Sequence, residues 1–197
     1  MMTKDEVFAP LARVRGDAVV VTTMGAVRPW ARHSSSALDF ASADSAMGHA
    51  ADLALGLALA RPERKVICLN GDGSMLMSLG TLVTIVAAGV RNLVLFVLEN
   101  RTYEITGNQP VPGAGAVDFA ALARGAGFRR VYAFAEANDY AGHVAEVLQG
   151  EGPVLVVAAV APGDDGPLRR GATESERYLR PSLAESAHQM RRELEKT

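Results

Sequence analysis

Apolar residues in this chain fall into short unbroken runs, separated by longer stretches in which Ala and Leu recur at helical spacing. "DAVVVTT" (17–23), "KVICLN" (65–70), "NLVLFVLEN" (92–100), "FRRVYAF" (128–134) and "GPVLVVAAV" (152–160) predict strands. "SAMGHAADLALGLALA" (45–60), "SMLMSLGTLVTIVAAG" (74–89), "VDFAALARGAG" (117–127) and "ANDYAGHVAEVLQG" (137–150) predict the helices between them. A strand apolar at nearly every position is covered on both faces. Strands alternating with helices therefore predict an α/β fold, a doubly wound parallel sheet flanked by helices. The first 162 residues form the expected domain. Beyond Pro162 the chain is polar and rich in turn residues, a tail over 163–197 whose stretch 182–196 predicts one amphipathic helix.

Composition narrows the function more than the fold. Aromatic residues make up only 6% of the chain, so the core must come from Ala, Val and Leu. The net charge of −2 gives no electrostatic reason to expect a nucleic acid or an anionic membrane as partner. Cys68 is the one cysteine, which rules out an internal disulfide and argues against an iron–sulfur cluster or a cysteine-built zinc site. The start, "MMTKDEVFAP", lacks the apolar centre of a secretion signal, and no run is long enough to span a bilayer. The expected compartment is the cytoplasm.

The candidate chemistry sits where the second strand should end. "GDGSML" (71–76) places Asp72 between two glycines and leads directly into a helix. Ligands of open α/β sheets collect at the carboxyl ends of strands. Gly71 and Gly73 permit tight turns and close approach to a ligand, and a helix beginning at Ser74 favours a phosphate at its N-terminus. Asp72 would repel that phosphate unless a divalent cation stood between them. Mg²⁺ characteristically takes one or two carboxylates together with substrate phosphates. Asn100 ends the next predicted strand and offers a neutral oxygen at the same edge of the sheet. A plain strand-to-helix turn is the competing reading of the glycines. The third glycine of a dinucleotide fingerprint and the Gly-Lys-Ser/Thr of a P-loop are both missing.

"GDGS" followed some thirty residues later by Asn resembles the binding motif of thiamine-diphosphate-dependent enzymes. With "DSAMGHAADLALGLALARPERKVICLNGDGSMLMSLGTL" (44–82) and "YEITGNQ" (103–109), the chain looks most like the diphosphate-binding domain, or β subunit, of sulfopyruvate and phosphonopyruvate decarboxylases. The resemblance runs from about residue 18 to residue 160 and implies thiamine diphosphate and Mg²⁺ as cofactors. It implies that Asp72 and Asn100 hold the metal through their side chains and Thr102 through its carbonyl. Gly71, Gly73 and Ser74 would meet the diphosphate, with Tyr103 in the adjoining cofactor-binding loop. Met47 would wedge beneath the thiazolium ring, the Ser45 carbonyl would face the aminopyrimidine, and Gly25 would lie in the first cofactor-side loop.

After Gly25 the chain departs from those decarboxylases. They tend toward Ser-Arg-Glu, whereas "AVRPWARHSSS" stands here. Arg28, Arg32 and His33 either face an anionic substrate or form a solvated charged loop, and Gln109 is a candidate substrate contact. The "ITGNQPVPGAG" loop (105–115) reads as a mobile cover.

The family's catalytic glutamate belongs to a pyrimidine-binding domain for which 197 residues leave no room. The resemblance therefore implies a separate pyrimidine-binding (α) subunit carrying that glutamate, and a hetero-oligomer. The expected reaction is decarboxylation of a small 2-oxo acid, such as a three-carbon one bearing a sulfonate or phosphonate. An acetolactate-synthase-like carboligase subunit and a non-catalytic phosphate-ligand-binding module remain the alternatives.

Overall fold

A computed structural model describes residues 1–43 and 47–196. In chain order its elements are α1 (Lys4–Val14), β1 (Val19–Thr22), α2 (Met24–Ala31), β2 (Asp39–Ala41), α3 (Ala50–Ala60), β3 (Val66–Gly71), α4 (Asp72–Met77), α5 (Thr81–Ala88) and β4 (Leu93–Glu99). Then follow β5 (Thr102–Tyr103), β6 (Gln109–Pro110), α6 (Phe119–Ala126), β7 (Arg130–Phe134), α7 (Ala137–Gln149), β8 (Val154–Ala159) and α8 (Leu183–Leu194). Six strands form one sheet in the order β2-β1-β3-β4-β8-β7, and each neighbouring pair is parallel. The fold is the doubly wound α/β sheet that the alternation of runs predicts.

Successive side chains of a strand point to opposite faces, and here both faces are dry. Val20, Ile67, Leu69 and Phe96 join the core beneath α1, α2 and α7, where Phe8 meets Trp30 edge to face at 5.7 Å. Val19, Val21, Cys68 and Leu95 join a second core with Ala51 and Ala54 of α3, Ile85 of α5, Phe119 of α6 and Met190 of α8. Burying a side chain the size of Phe8 contributes about 2–3 kcal/mol, so each strand gains on both sides.

Three elements escape the periodicity argument. β2 is only three residues long. α1 opens with a capping box in which Thr3 and Glu6 satisfy each other's backbone N–H groups. α2 carries Gly25 and Pro29, poor helix residues by propensity, and forms because Ala26, Val27 and Trp30 are buried. The predicted helix over 74–89 is two helices, α4 and α5. Between them Ser78 turns its hydroxyl onto the carbonyl of Gly48. This break leaves α4 at the strand ends while α5 packs on the second face.

The tail does not hang free. Tyr178 donates its hydroxyl to the carbonyl of Val27 at 3.2 Å, and Leu179 is fully buried. Helix α8, opened by a Ser182–Glu185 capping box, lays Met190 and Leu194 on the second core. Its polar composition reflects how much of this segment faces water, while its few apolar residues anchor it.

From β1 the chain passes outward to β2, then returns to the other side of β1 for β3. The order reverses there, and the loops after β1 and β3 diverge and leave a crevice at the carboxyl edge.

Candidate active site

Two strand ends build the floor of that crevice. β3 runs straight into α4 at Asp72, whose side chain is almost wholly buried. One carboxylate oxygen accepts the N–H of Gly73 and the other the N–H of Arg101, each at 2.7 Å. The carboxyl is nonetheless held above its ordinary range. Burial is the largest cause, the nearby charge of Glu99 adds to it, and the two N–H donors only partly offset it. A carboxylate with this deficit gains most from a cation beside it.

At the end of β4, Arg101 adopts the left-handed region with φ 66°. This turn presents its N–H to Asp72 and lets Asn100 Oδ1 accept the N–H of Thr102 at 3.0 Å. Thr102 and Tyr103 then pair with Pro110 and Gln109 in a short antiparallel hairpin, β5–β6. The Cδ1–Cε1 edge of the Tyr103 ring lies against Gly73. A Cβ at Gly73 would stand 2.8 Å from Tyr103 Cδ1 and 2.9 Å from Val111 Cγ1, so only glycine fits. The loop read as a mobile cover over 105–115 is tied down at its root by this hairpin.

A cavity of about 310 Å³ opens above these strand ends. Gly71, Asp72, Gly73 and Ser74 line it from β3 and α4, and Asn100, Thr102 and Tyr103 from the β4 side. Gly25, after β1, and Met47 complete the predicted set on its wall. Ser45 lies outside the described residues. Residues 77 positions apart in sequence, Gly25 and Thr102, thereby border one space.

The family model described as thiamine pyrophosphate enzyme, C-terminal TPP binding domain, matches residues 19–158. The chain belongs to this family. It is 42% identical over 132 residues to a phosphonopyruvate decarboxylase of Streptomyces viridochromogenes, a match covering 66% of this chain and 33% of that protein. It is also 42% identical over 118 residues to a sulfopyruvate decarboxylase subunit beta of Methanothermobacter thermautotrophicus, covering 60% of each. The chain thus spans a third of the first relative's length and 60% of the second's. A solved thiamine diphosphate-dependent 4-hydroxybenzoylformate decarboxylase from Rhodococcus jostii superposes with a TM-score of 0.70 over 83% of this chain and 33% of that one. At 24% identity that likeness speaks for the fold alone.

The donor set of this TPP-binding domain fits a cation-bridged diphosphate. It offers a buried, destabilised carboxylate, a neutral amide oxygen two residues before a hairpin, and a glycine cradle that a Cβ would fill. The hydroxyls of Thr23 and Ser74, 3.5 Å apart, add polar groups on the same wall. Thr23 escapes the motif because it follows a different strand, although its place before Gly25 is a usable signal.

Other candidates are drawn elsewhere. Arg28 binds the Asp165 carbonyl and lies 3.6 Å from both Glu174 and Glu176. Arg32 pairs with Asp5 and Asp165, and His33 with Asp5 at 2.6 Å. These three are structural ties between α2, α1 and the tail. Gln109 folds back onto Thr106, donating to its carbonyl at 2.7 Å, and His49 pairs with Asp52. Cys68 is fully buried, and burial pushes its thiol up, leaving it inert at neutral pH. Lys4 and Glu104, which the motifs do not flag, form a buried ion pair on the cavity wall. Among the described residues no helix is long and apolar enough to cross a membrane.

Proposed function

We propose that this chain is the diphosphate-binding (β) subunit of a thiamine-diphosphate-dependent lyase that decarboxylates a small 2-oxo acid. It works in the cytoplasm as part of a hetero-oligomer, beside a pyrimidine-binding (α) subunit that carries the catalytic glutamate. The observation that carries the reading is the meeting of two strand ends on one carboxylate: Asp72 takes N–H groups from both Gly73 and Arg101, with Asn100 alongside. Support also comes from the names of the relatives, one of which is called subunit beta.

In this reading Asp72, Asn100 and the Thr102 carbonyl hold Mg²⁺, and Gly71, Gly73 and Ser74 receive the diphosphate. Bound thiamine diphosphate supplies an electron sink for the carbanion left when carbon dioxide departs. The chain's own contribution is to bind, orient and keep the site dry. Tyr103 seals the Gly73 corner, Gly25 in the first turn of α2 leaves room for the Glu104 carboxylate, and Met47 stands at the wall as the apolar wedge. Met47 is 63% exposed in the isolated chain, as expected of a side chain that waits for both cofactor and partner. Ser45, outside the described residues, keeps its proposed role toward the aminopyrimidine.

The test is to purify the tagged chain from its native host and quantify thiamine diphosphate, Mg²⁺ and companion chains. A stoichiometric second chain that arrives with cofactor, and 2-oxo-acid-dependent release of carbon dioxide, are expected. Cofactor with no companion and no turnover would replace the enzyme by a binding module. Absence of thiamine diphosphate despite added Mg²⁺ would remove the site altogether.

A further inference from the structure

Between Gly163 and Arg177 the apolar side chains are Pro167, Leu168 and Ala172, too few for burial to hold the stretch in place. Directed polar bonds hold it instead, and they converge on three segments that border the cavity. The first is the loop after β5. Both backbone polar groups of Gly163 are taken there: its N–H donates to Glu104, and its carbonyl accepts from Asn108 Nδ2 at 3.2 Å. Asn108 Oδ1 in turn accepts the hydroxyl of Thr102 at 2.9 Å. The other oxygen of Glu104 pairs with Lys4, which donates to the carbonyl of Gly25 at 2.9 Å.

The second segment is α2, which opens on the cavity wall with Met24 and Gly25. Asp165 accepts Arg28 on its carbonyl and holds Arg32 3.4 Å from its carboxylate, and Tyr178 donates to Val27. The third is the end of β2. Arg170 donates to the carbonyl of Ala41, the neighbour of Ser42 on the cavity wall. The same guanidinium holds the carbonyls of Tyr178 and Pro181 at 2.8 and 3.1 Å.

From this convergence we infer that the tail over 163–181 is a positioning element of the cofactor site, so that docking of the tail and binding of thiamine diphosphate with Mg²⁺ are coupled. The inference rests on the thiamine-diphosphate reading and adds a means of regulating that site. The corner at Asp72 is held by the central strands of the sheet. The three segments above lie off those strands, and the tail bridges them to one another. A ligand that fills the cavity meets all three together. Holding them in place beforehand removes an ordering cost from the binding step. By linkage, the bound ligand then favours the docked tail by the same factor. A tail that served only to stabilise the fold would carry no such factor.

The experiment uses the protein with its accompanying chains, stripped by chelation and reloaded with Mg²⁺ and thiamine diphosphate. Amide hydrogen exchange is followed in peptides covering 101–110, 137–149 and 163–181. Loading should slow exchange in 163–181 by about tenfold more than in 137–149, which reports the global gain in stability. An equal change in those two peptides, in protein that binds the cofactor, overturns the inference and leaves the cofactor reading intact. Failure to take up thiamine diphosphate, measured by calorimetry, removes the cofactor reading and the inference with it.

Two substitutions of residues off the cavity wall give a second readout. Arg170→Lys keeps the charge but loses the fork that bridges Ala41 to the tail. Asn108→Asp keeps an acceptor for Thr102 and sets a repelling oxygen against the Gly163 carbonyl. Each should raise the calorimetric Kd for thiamine diphosphate by about fivefold, and the double variant by clearly less than the product of the two, because both release one segment. The Kd is insensitive to the fraction folded, which enters as stoichiometry. An unchanged Kd with a lowered Tm makes the tail a strap for the fold alone and overturns the inference. A full product assigns the two effects to separate elements and overturns it as well.

Discussion

The cavity floor is made of two corners that solve the same problem by opposite means. At the end of β3 the chain approaches closely by discarding a side chain: Gly73 lies against the edge of the Tyr103 ring with no room for a Cβ. At the end of β4 it keeps a large side chain and bends the backbone instead, with Arg101 at φ 66°. A non-glycine residue in that region carries about 1–2 kcal/mol of strain. The N–H of Arg101 recovers part of it by bonding to Asp72. The first corner is therefore fixed by sterics and the second by a hydrogen bond to a charged group. The two glycines around Asp72 are also unequal. A Cβ at Gly71 would meet nothing nearer than Thr23 Cγ2 at 3.9 Å.

The largest expected effect comes from Asp72→Ala, which removes the group that both corners share. Mg²⁺-dependent thiamine diphosphate binding, followed by calorimetry, should weaken by about 100-fold or more. Next is the pair of glycines. Gly73→Ala should lower the unfolding free energy by about 2–3 kcal/mol through overpacking, while Gly71→Ala should change it by less than about 1 kcal/mol. Equal losses in the two variants, measured by denaturant titration, would erase the distinction between them. At the other corner, Arg101→Gly should relieve strain and raise stability by about 1 kcal/mol, whereas a β-branched Arg101→Val should lower it by a similar amount.

The smallest effect is in pH. Because the folded protein holds the Asp72 carboxyl above its unfolded value, this group stabilises the cation-free fold below the ordinary carboxylate range. That contribution is lost as pH rises through the raised value. The increase in Tm on adding Mg²⁺ and thiamine diphosphate should accordingly grow as pH rises from the ordinary carboxylate range through the raised value. Asp72→Asn should flatten that dependence, and a parallel rise in the variant would assign it to another group.

How much could be read beforehand followed from which forces act locally. The strands β1, β3, β4, β7 and β8 were legible because burial on both faces leaves an unbroken apolar run in each. The Asp72 corner was legible because glycines around an acid at a strand end are a local signature, and Asn100 followed from the next strand's length. β2 was too short to carry a pattern, and α2 was hidden by Gly25 and Pro29. The break between α4 and α5 depends on Ser78 reaching Gly48, a contact thirty residues away. Arg28, Arg32 and His33 read equally well as substrate contacts or solvated charges, since their acidic partners lie on α1 and in the tail.

The sequence by itself determined the class of fold, the edge of the sheet at which the candidate site lies and the acid buried at its floor. Each of these depends on residues close together in the chain, through side-chain period, glycine sterics or the like charges of carboxylate and phosphate. Tertiary structure alone decided which of the two glycines is obligatory, that Arg101 turns its backbone toward Asp72, and that Lys4 is closed off by Glu104, a hundred positions away. Those outcomes rest on contacts between segments that only the parallel sheet brings side by side.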